Sequence, residues 1–468
     1  MHFLATHFSR IESSLFIFYL TIICWAPLPK ASNNPWSLNL LCLLCFLLGM
    51  KVLLSRFNRI QETLSALRPY RIPLVLLGLV ASWASIQTVS LPQELLGFLT
   101  PNNLALASST GTNSSTISLD PSETVRLALY SWALLSFFAC TVLLVNSRDR
   151  LRTLFWVIVA GGVFQALYGS FMTLSGLEYG FFHEKYAYLG RATGTFINRN
   201  HLAGYLEMCL AIGIGLLVAT LRQASSLSWR ERMRHTLDTL LGSKLRLRIF
   251  LAFMVIALVL TRSRMGNAAF FISLPLCGVL MMILQRKLHK GAIILFASMM
   301  LVDFFIVGQW FGFDELADRV QNSSTTTETR DEVVRDSLVM LQDYPLTGTG
   351  LGSFYSSYPA YKGDDISGYY DHAHNDLLEF ATTLGLIGYA PLILLVLLSL
   401  AKAIKSLYQR RDQLARGVAF AATMGITSLL IHSAVDFNLQ IPANSLIFVL
   451  LIALAWISSQ LPRARRQH

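Results

Sequence analysis

Long runs of uncharged apolar residues recur along this 468-residue chain, and they leave little choice of fold. About 20 such residues in succession match the hydrocarbon thickness of a bilayer. In lipid the backbone must satisfy its own hydrogen bonds, so runs of this length are helices. Only 14% of the residues are charged, against about 25% in a soluble domain. The expected fold is therefore all-α: a polytopic integral membrane protein of about twelve transmembrane helices. The spans are expected near 13–29, 36–54, 73–91, 125–147, 153–175, 201–221, 249–261, 265–285, 291–312, 377–400, 417–434 and 444–461. The seventh is short and is expected to extend back through its flanking basic residues. Arg10 alone precedes the first run, and Trp25-Ala26-Pro27-Leu28-Pro29 offers no small-x-small cleavage site, so that run is expected to be a retained helix.

Lysine and arginine set the orientation, because cytoplasmic connections retain the positive charge. With the N-terminus in the cytoplasm, 27 of the 38 Lys and Arg residues fall in cytoplasmic segments, and the alternation holds across all twelve spans. The net charge of +11 is then a consequence of topology and calls for no nucleic acid. All six cysteines lie inside apolar runs, where they act as small packing residues. Three regions result. Residues 1–312 hold the first nine spans and an external Ser-, Thr- and Asn-rich segment at 92–124. Residues 313–376 form a large external loop of helical character, too long for a simple connector. Residues 377–468 hold the last three spans and a basic cytoplasmic tail. No internal or inverted repeat is visible, which counts against a transporter.

Eleven basic residues remain outside against the topology rule: Lys30, Arg126, Lys185, Arg191, Arg199, Arg262, Arg264, Arg319, Arg330, Arg335 and Lys362. Charges beside apolar spans usually face a cavity and have a partner or a task. Guanidinium groups gathered at an outer face suit a phosphate or diphosphate, whose oxygens they bind in pairs. Arg262-Ser263-Arg264 occupies a tight connection between two spans, where snorkelling to the interface is the competing explanation. Arg191 precedes a polar cluster, Asn198-Arg199-Asn200-His201, that opens the sixth span; an asparagine cap accounts for only part of it.

Thr329-Arg330-Asp331-Glu332 fits a capping box, with Arg330 opening a helix that runs to about Asp343. Val333, Val334, Ser337, Leu338 and Leu341 recur at helical spacing and are expected to form its packed face. Arg330 lies at the edge of that face, and a helix N-terminus suits an anion. Arg335 is expected to be a solvated charge that pairs with Asp331. The glycine-rich Pro345–Gly352 stretch lacks the Lys-Ser/Thr of a P-loop, so its glycines are expected to serve tight turns.

The loop ends in His372-Ala373-His374-Asn375-Asp376 at the mouth of the tenth span. Histidine exchanges protons near neutral pH. A pair of them at a membrane surface points to acid–base work on something the bilayer presents. Spacing alone does not choose between His372 and His374, and Asp371 or Asp376 could orient either ring. His432 and Asp436 are expected to make a structural polar contact.

Arg191 with GTFINRNHLAGYL, the Arg264 turn, Arg330 with DYPLTGTGLGSF, and HNDLLEFATTLGLIG together resemble the bacterial O-antigen ligase and O-antigen polymerase superfamily. HSAVDFNLQIPAN and the N-terminal APLPKASNNPW are also similar to stretches of that superfamily, so the resemblance covers nearly the whole chain. It implies a metal-independent glycosyltransferase of the GT-C class, without cofactor, at the periplasmic face of the bacterial inner membrane. Its donor would be a glycan on undecaprenyl diphosphate. Its acceptor would be lipid A-core, another glycan or a protein, with ligase or polymerase favoured because no extra domain for protein acceptors is visible. The resemblance carries the family's essential histidine onto His374, with His372 as a second candidate. It carries the diphosphate-binding arginines onto Arg264 and Arg330, with Arg191 a further candidate. Members often have Trp four residues after the loop arginine, where this chain has Val334. The competing class is a transporter or flippase for lipid-linked sugars, which would place charges at mid-membrane and need no such loop.

Overall fold

The computed structural model describes residues 2–103, 115–180, 183–220, 243–285, 330–366 and 368–461. In chain order the helices are α1 (His2–Trp25), α2 (Pro35–Ser55), α3 (Ile60–Leu67), α4 (Arg71–Ile86), α5 (Gln93–Leu99), α6 (Pro121–Leu144) and α7 (Arg148–Ser175). A two-residue hairpin follows, β1 (Tyr179–Gly180) and β2 (His183–Glu184). Then come α8 (Arg199–Ala219), α9 (Ser243–Leu260), α10 (Arg264–Gln285), α11 (Arg330–Asp343), α12 (Phe354–Ser357), α13 (Asp376–Gln409), α14 (Gln413–Ser433) and α15 (Pro442–Gln460). Among the described residues nine helices are long and apolar enough to cross a membrane. The fold is all-α and polytopic. Helices cover eleven of the twelve expected spans, and the ninth, 291–312, lies outside the described residues. So do Thr329 of the expected capping box, Arg319 and the tail beyond Leu461.

Helices α8 and α15 are apolar all round, and a helix of that kind belongs inside. Both are buried along almost their whole length. Helix α8 packs against α14, α7, α9, α10 and α15, and is the axis of the bundle. Its contact with α14 is closest where Gly215 meets Gly417. A Cβ built on Gly417 would stand 2.3 Å from the Gly215 carbonyl, so only glycine allows these backbones to touch.

Helix α13 is interrupted at Gly385, where φ is +59° and ψ is −179°. The break frees backbone groups that lipid could not satisfy. The glycine-rich loop takes them up. Thr349 and Gly350 donate to the Thr382 and Thr383 carbonyls at 3.1 and 2.9 Å, while Leu386 and Ile387 donate to Pro345 and Leu346 at 2.9 and 3.1 Å. A Cβ on Gly348 would lie 2.3 Å from the Thr383 carbonyl, and one on Gly385 2.3 Å from that of Leu346. Buried Gln87 seals the junction from α4: its Nε2 donates to Thr347 O and Thr383 O, and its Oε1 accepts from Leu351 N. Trp83 Nε1 donates to Leu384 O at 2.8 Å. The glycines thus serve a backbone docking as well as the turns expected of them.

The loop has its own small core of Val333, Met340, Phe354, Tyr358, Ile366 and Ala373. Helix α11 ends at Asp343 as expected, but its packed face is Val333, Asp336, Ser337 and Met340. Leu338 is exposed instead, because the loop core lies one position round from the stripe of largest apolar residues. Arg335 grips Asp365 with both terminal nitrogens, at 2.9 and 3.1 Å, and reaches Asp336 through Nε. It fixes the loop across 30 residues, where pairing with Asp331 was expected.

Candidate active site

His374 sits at the last turn before α13, and three other elements converge on it. Asn375 caps α13 by accepting from Leu378 N at 3.1 Å. His374 itself adopts φ of +51°, the left-handed region that side chains enter at a cost of about 1–2 kcal/mol. Such a conformation persists where its surroundings over-determine it, often at working sites. The surroundings here are specific. On one side of His374 lies Ala373, fully buried in the loop core. On the other, Asp376 N donates to the Asp436 carbonyl, and Asp376 Oδ2 accepts from Ser433 Oγ at 2.7 Å and from Leu439 N at 2.9 Å. Asp376 therefore staples the start of α13 to the α14–α15 connection.

Phe437, in that connection, is the hub of the site. His372 stacks on its ring at 4.2 Å, and His374 and His201 meet it edge-on at 4.8 and 4.6 Å. The carboxylate nearest the His374 ring belongs to Asp436: Oδ1 lies 3.8 Å from Nδ1, beyond hydrogen-bonding distance. Asn200 holds the other Asp436 oxygen at 2.5 Å. Burial would raise the Asp436 pKa, but His374, His201, His432 and the Phe437 amide together hold it well below the usual carboxylate range. Asp436 is thus an anion facing His374. His374 Nδ1 is sealed from solvent, while 16% of the side chain stays accessible.

His372 has a different environment. Its Nδ1 donates to Glu379 Oε1 at 2.8 Å, and the other Glu379 oxygen accepts from Ala373 N at 2.8 Å. Burial alone would drive the His372 pKa down, yet the Glu379 carboxylate outweighs it and raises the value to about 9. His432 departs from the expected contact with Asp436. It donates from Nδ1 to Glu207 Oε1 at 2.8 Å, inside the bundle, where Ser428 supplies the second bond at 2.7 Å.

The arginines come to the same end of the bundle. Arg264 is the first residue of α10 and is exposed. Two residues later, a Cβ on Gly266 would lie 3.1 Å from His432 Cε1, so the start of α10 packs directly behind the histidines. Arg199 Nη1 donates to Arg262 O at 2.7 Å, tying the start of α8 to the α9–α10 turn. Arg262, like His374, has a positive φ of 51°. Ala192 N donates to Leu260 O at 2.9 Å, which brings the Arg191 loop against the same turn. Arg330 opens α11, a helix that packs against α13. Its side chain lies outside the described residues.

A partly open apolar groove with a cavity volume of about 130 Å³ begins beside this cluster. Leu377 and Leu439, next to Asp376 and Asn438, line its upper end, and Leu134, Phe380, Leu392 and Phe448 continue it into the bundle. Among the described residues no three His, Cys, Asp or Glu side chains converge as a metal site would require.

Motif reading named Asp436, Asn200 and His201 without bringing them beside His374, and it missed Phe437 and Glu379. A signal existed for two of them. The 434–441 connection has the same topological parity as the loop, which sets Asp436 and His374 at the same end of the spans. Glu379 is a carboxylate in the first turn of an apolar span, where a charge calls for a partner.

The comparisons with known proteins agree with the geometry. Residues 249–393, from α9 through the break in α13, match the family model described as O-antigen ligase. No curated protein matches the chain. The match supports the O-antigen ligase superfamily and, at the level of chemistry, a membrane-embedded transferase of lipid-linked glycans.

Proposed function

With residues 249–393 matching the O-antigen ligase family as the premise, we propose that the protein moves a glycan from undecaprenyl diphosphate onto an acceptor hydroxyl. The transfer would take place at the periplasmic face of a bacterial inner membrane, with both termini cytoplasmic. The observation that carries this reading is the His374–Asp436 pair: a strained, partly accessible imidazole backed by a buried carboxylate anion, at the bundle end where the external arginines gather.

The reaction needs three things of the protein. The leaving diphosphate must be held as negative charge grows on it. Arg264 and Arg191, at the α9–α10 turn and its neighbouring loop, are the proposed donors, and Arg330 is the third candidate. Donors set in advance at the site of developing charge stabilise the transition state most effectively. The acceptor hydroxyl must lose its proton as its oxygen bonds the anomeric carbon. His374 takes that proton on Nε2, since Nδ1 faces Asp436. The bond from the anomeric carbon to the diphosphate oxygen breaks with its electron pair on the diphosphate. Asp436 then stabilises the imidazolium that results, as a carboxylate does behind a general-base histidine. The third need is a place for the lipid, and the apolar groove beside Leu377 supplies one. No step calls on a metal or an organic cofactor.

A ligase or polymerase reading is favoured over protein glycosylation, because the loop of α11 and α12 is compact and packed on its own core. A carrier of lipid-linked sugars would need no such general-base arrangement. The test is transfer by the purified protein, using the lipid-linked glycan extracted from cells lacking it, with acceptor from the same cells. His374→Ala should lose at least about 100-fold in rate, the scale of general-base catalysis, while still binding donor. Full activity in that variant refutes the assignment.

A further inference from the structure

The proposed base is preceded by two residues that are both held by one buried carboxylate. Glu379 reaches back from the first turn of α13 and spends both carboxylate oxygens on them. One accepts from the His372 ring and the other from the Ala373 amide, each at 2.8 Å. Glu379 is only 2% exposed. The same histidine ring lies flat on Phe437, whose edge contact with His374 sets the other side of the base. Ala373 is buried without exposure in the loop core. His374 follows directly, in a left-handed conformation that an unrestrained chain would leave.

We propose that Glu379 is a positioning residue for the transfer reaction: by clamping His372 and Ala373 together it fixes the backbone and ring of His374 against Phe437 and Asp436. This rests on the reading of His374 as the general base. It assigns His372 to the clamp, since its Nδ1 is committed to Glu379 and its face to Phe437.

The clamp closes most tightly when His372 carries a proton, because the bond is then charged on both sides. The other titratable groups around it are Asp371 on its own loop, Asp376 on α13 and His201 on α8. Asp436 and His374 lie across the Phe437 ring. With His372 raised to about 9 by Glu379, the clamp is intact at neutral pH and weakens only in alkali.

The experiment measures kcat and donor KM against pH for the full-length purified enzyme, with the lipid-linked glycan fraction from cells lacking it as donor. Glu379→Gln keeps a carbonyl for Ala373 N but removes the charge. Its kcat at pH 8 should fall about tenfold, with donor KM changed less than twofold. Its alkaline limb should move from near 9 down toward about 6.5, the ordinary histidine value. Glu379→Asp should recover part of the rate and part of the limb. His372→Gln, whose amide can still donate to Glu379, should retain at least about a tenth of the activity and lose that limb altogether.

Two results overturn the proposal while leaving the base intact. One is a pH profile of Glu379→Gln superimposable on that of the parent. The other is His372→Gln as inactive as His374→Ala, which would make His372 a reacting group. Activity surviving in His374→Ala would instead remove the base reading on which the clamp depends. A folding defect in Glu379→Gln would lower the yield of monodisperse protein without moving the limb, and that pattern also counts against positioning.

Discussion

Gln87 is the most informative residue to change outside the site, because its three hydrogen bonds hold the glycine-rich loop in the break of α13. Gln87→Leu keeps roughly the same volume and removes all three. The consequences differ by partner. Thr383 O retains its bond from Gly350 N at 2.9 Å. Thr347 O and Leu351 N, bonded to Gln87 at 2.8 and 3.0 Å, are left in a buried setting without that bond. A buried group orphaned in this way costs about 1–3 kcal/mol. The two together cost roughly 2–6 kcal/mol, offset by about 1–2 kcal/mol for burying the apolar side chain. The net loss, about 2–3 kcal/mol at the middle of these ranges, corresponds to a fall of roughly 2–3 °C in melting temperature for a chain of this size. Thermal unfolding of the detergent-purified protein reads this directly, and limited proteolysis should find new cleavage within residues 344–351. A midpoint within 1 °C of the parent, with no new cleavage, would show that the loop docks without Gln87 and refute the reasoning.

Other perturbations test the remaining joints. Glu207→Ala leaves His432 buried without its partner and should cost about 3–5 kcal/mol, read as loss of folded protein on size exclusion; Glu207→Gln should be much milder. Gly385→Ala places a Cβ 2.3 Å from the Leu346 carbonyl at a positive φ, and should lower both melting temperature and transfer rate. Stability should also depend on alkaline pH. His372 is raised from 6.5 to about 9 in the fold, so its contribution is whole below 6.5 and disappears as pH rises through about 9. The shift corresponds to roughly 3 kcal/mol. A melting temperature that falls between pH 7 and 10 in the parent, and stays flat in Glu379→Gln, confirms the linkage; identical slopes reject it.

The membrane architecture was legible in the sequence because lipid imposes one requirement on every span, and apolar runs of fixed length report it. The end of α11 was equally legible: Asp343 closes a helical stripe before Pro345. What escaped were contacts between distant segments. Asp436 pairs with His374 across 62 residues, and His432 with Glu207 across 225. Local spacing instead joined His432 to Asp436 and offered Asp376 or Asp371 as the carboxylate behind the base. The packed face of α11 was misplaced for a related reason. Val333 and Ser337 are packed as expected, but Asp336, with a partner in the loop, and Met340 complete the inner face in place of the larger Leu338 and Leu341. Polar groups that find bonds can occupy a core, and composition alone does not reveal which will.

The break in α13 has a mechanical consequence. A continuous helix would transmit tilt from one end to the residue that caps the other, and bilayers differ in thickness. Here the segment Asp376–Leu384 is bonded through Thr382 and Thr383 to the loop, and the span below it starts afresh with its amides bonded to Pro345 and Leu346. The joint ties both segments to one loop, so a tilt of Leu386–Gln409 has to strain those bonds before it reaches the capping residue. The proposed base His374, with Glu379 and Asp436, is thus referenced to the loop and the α14–α15 connection.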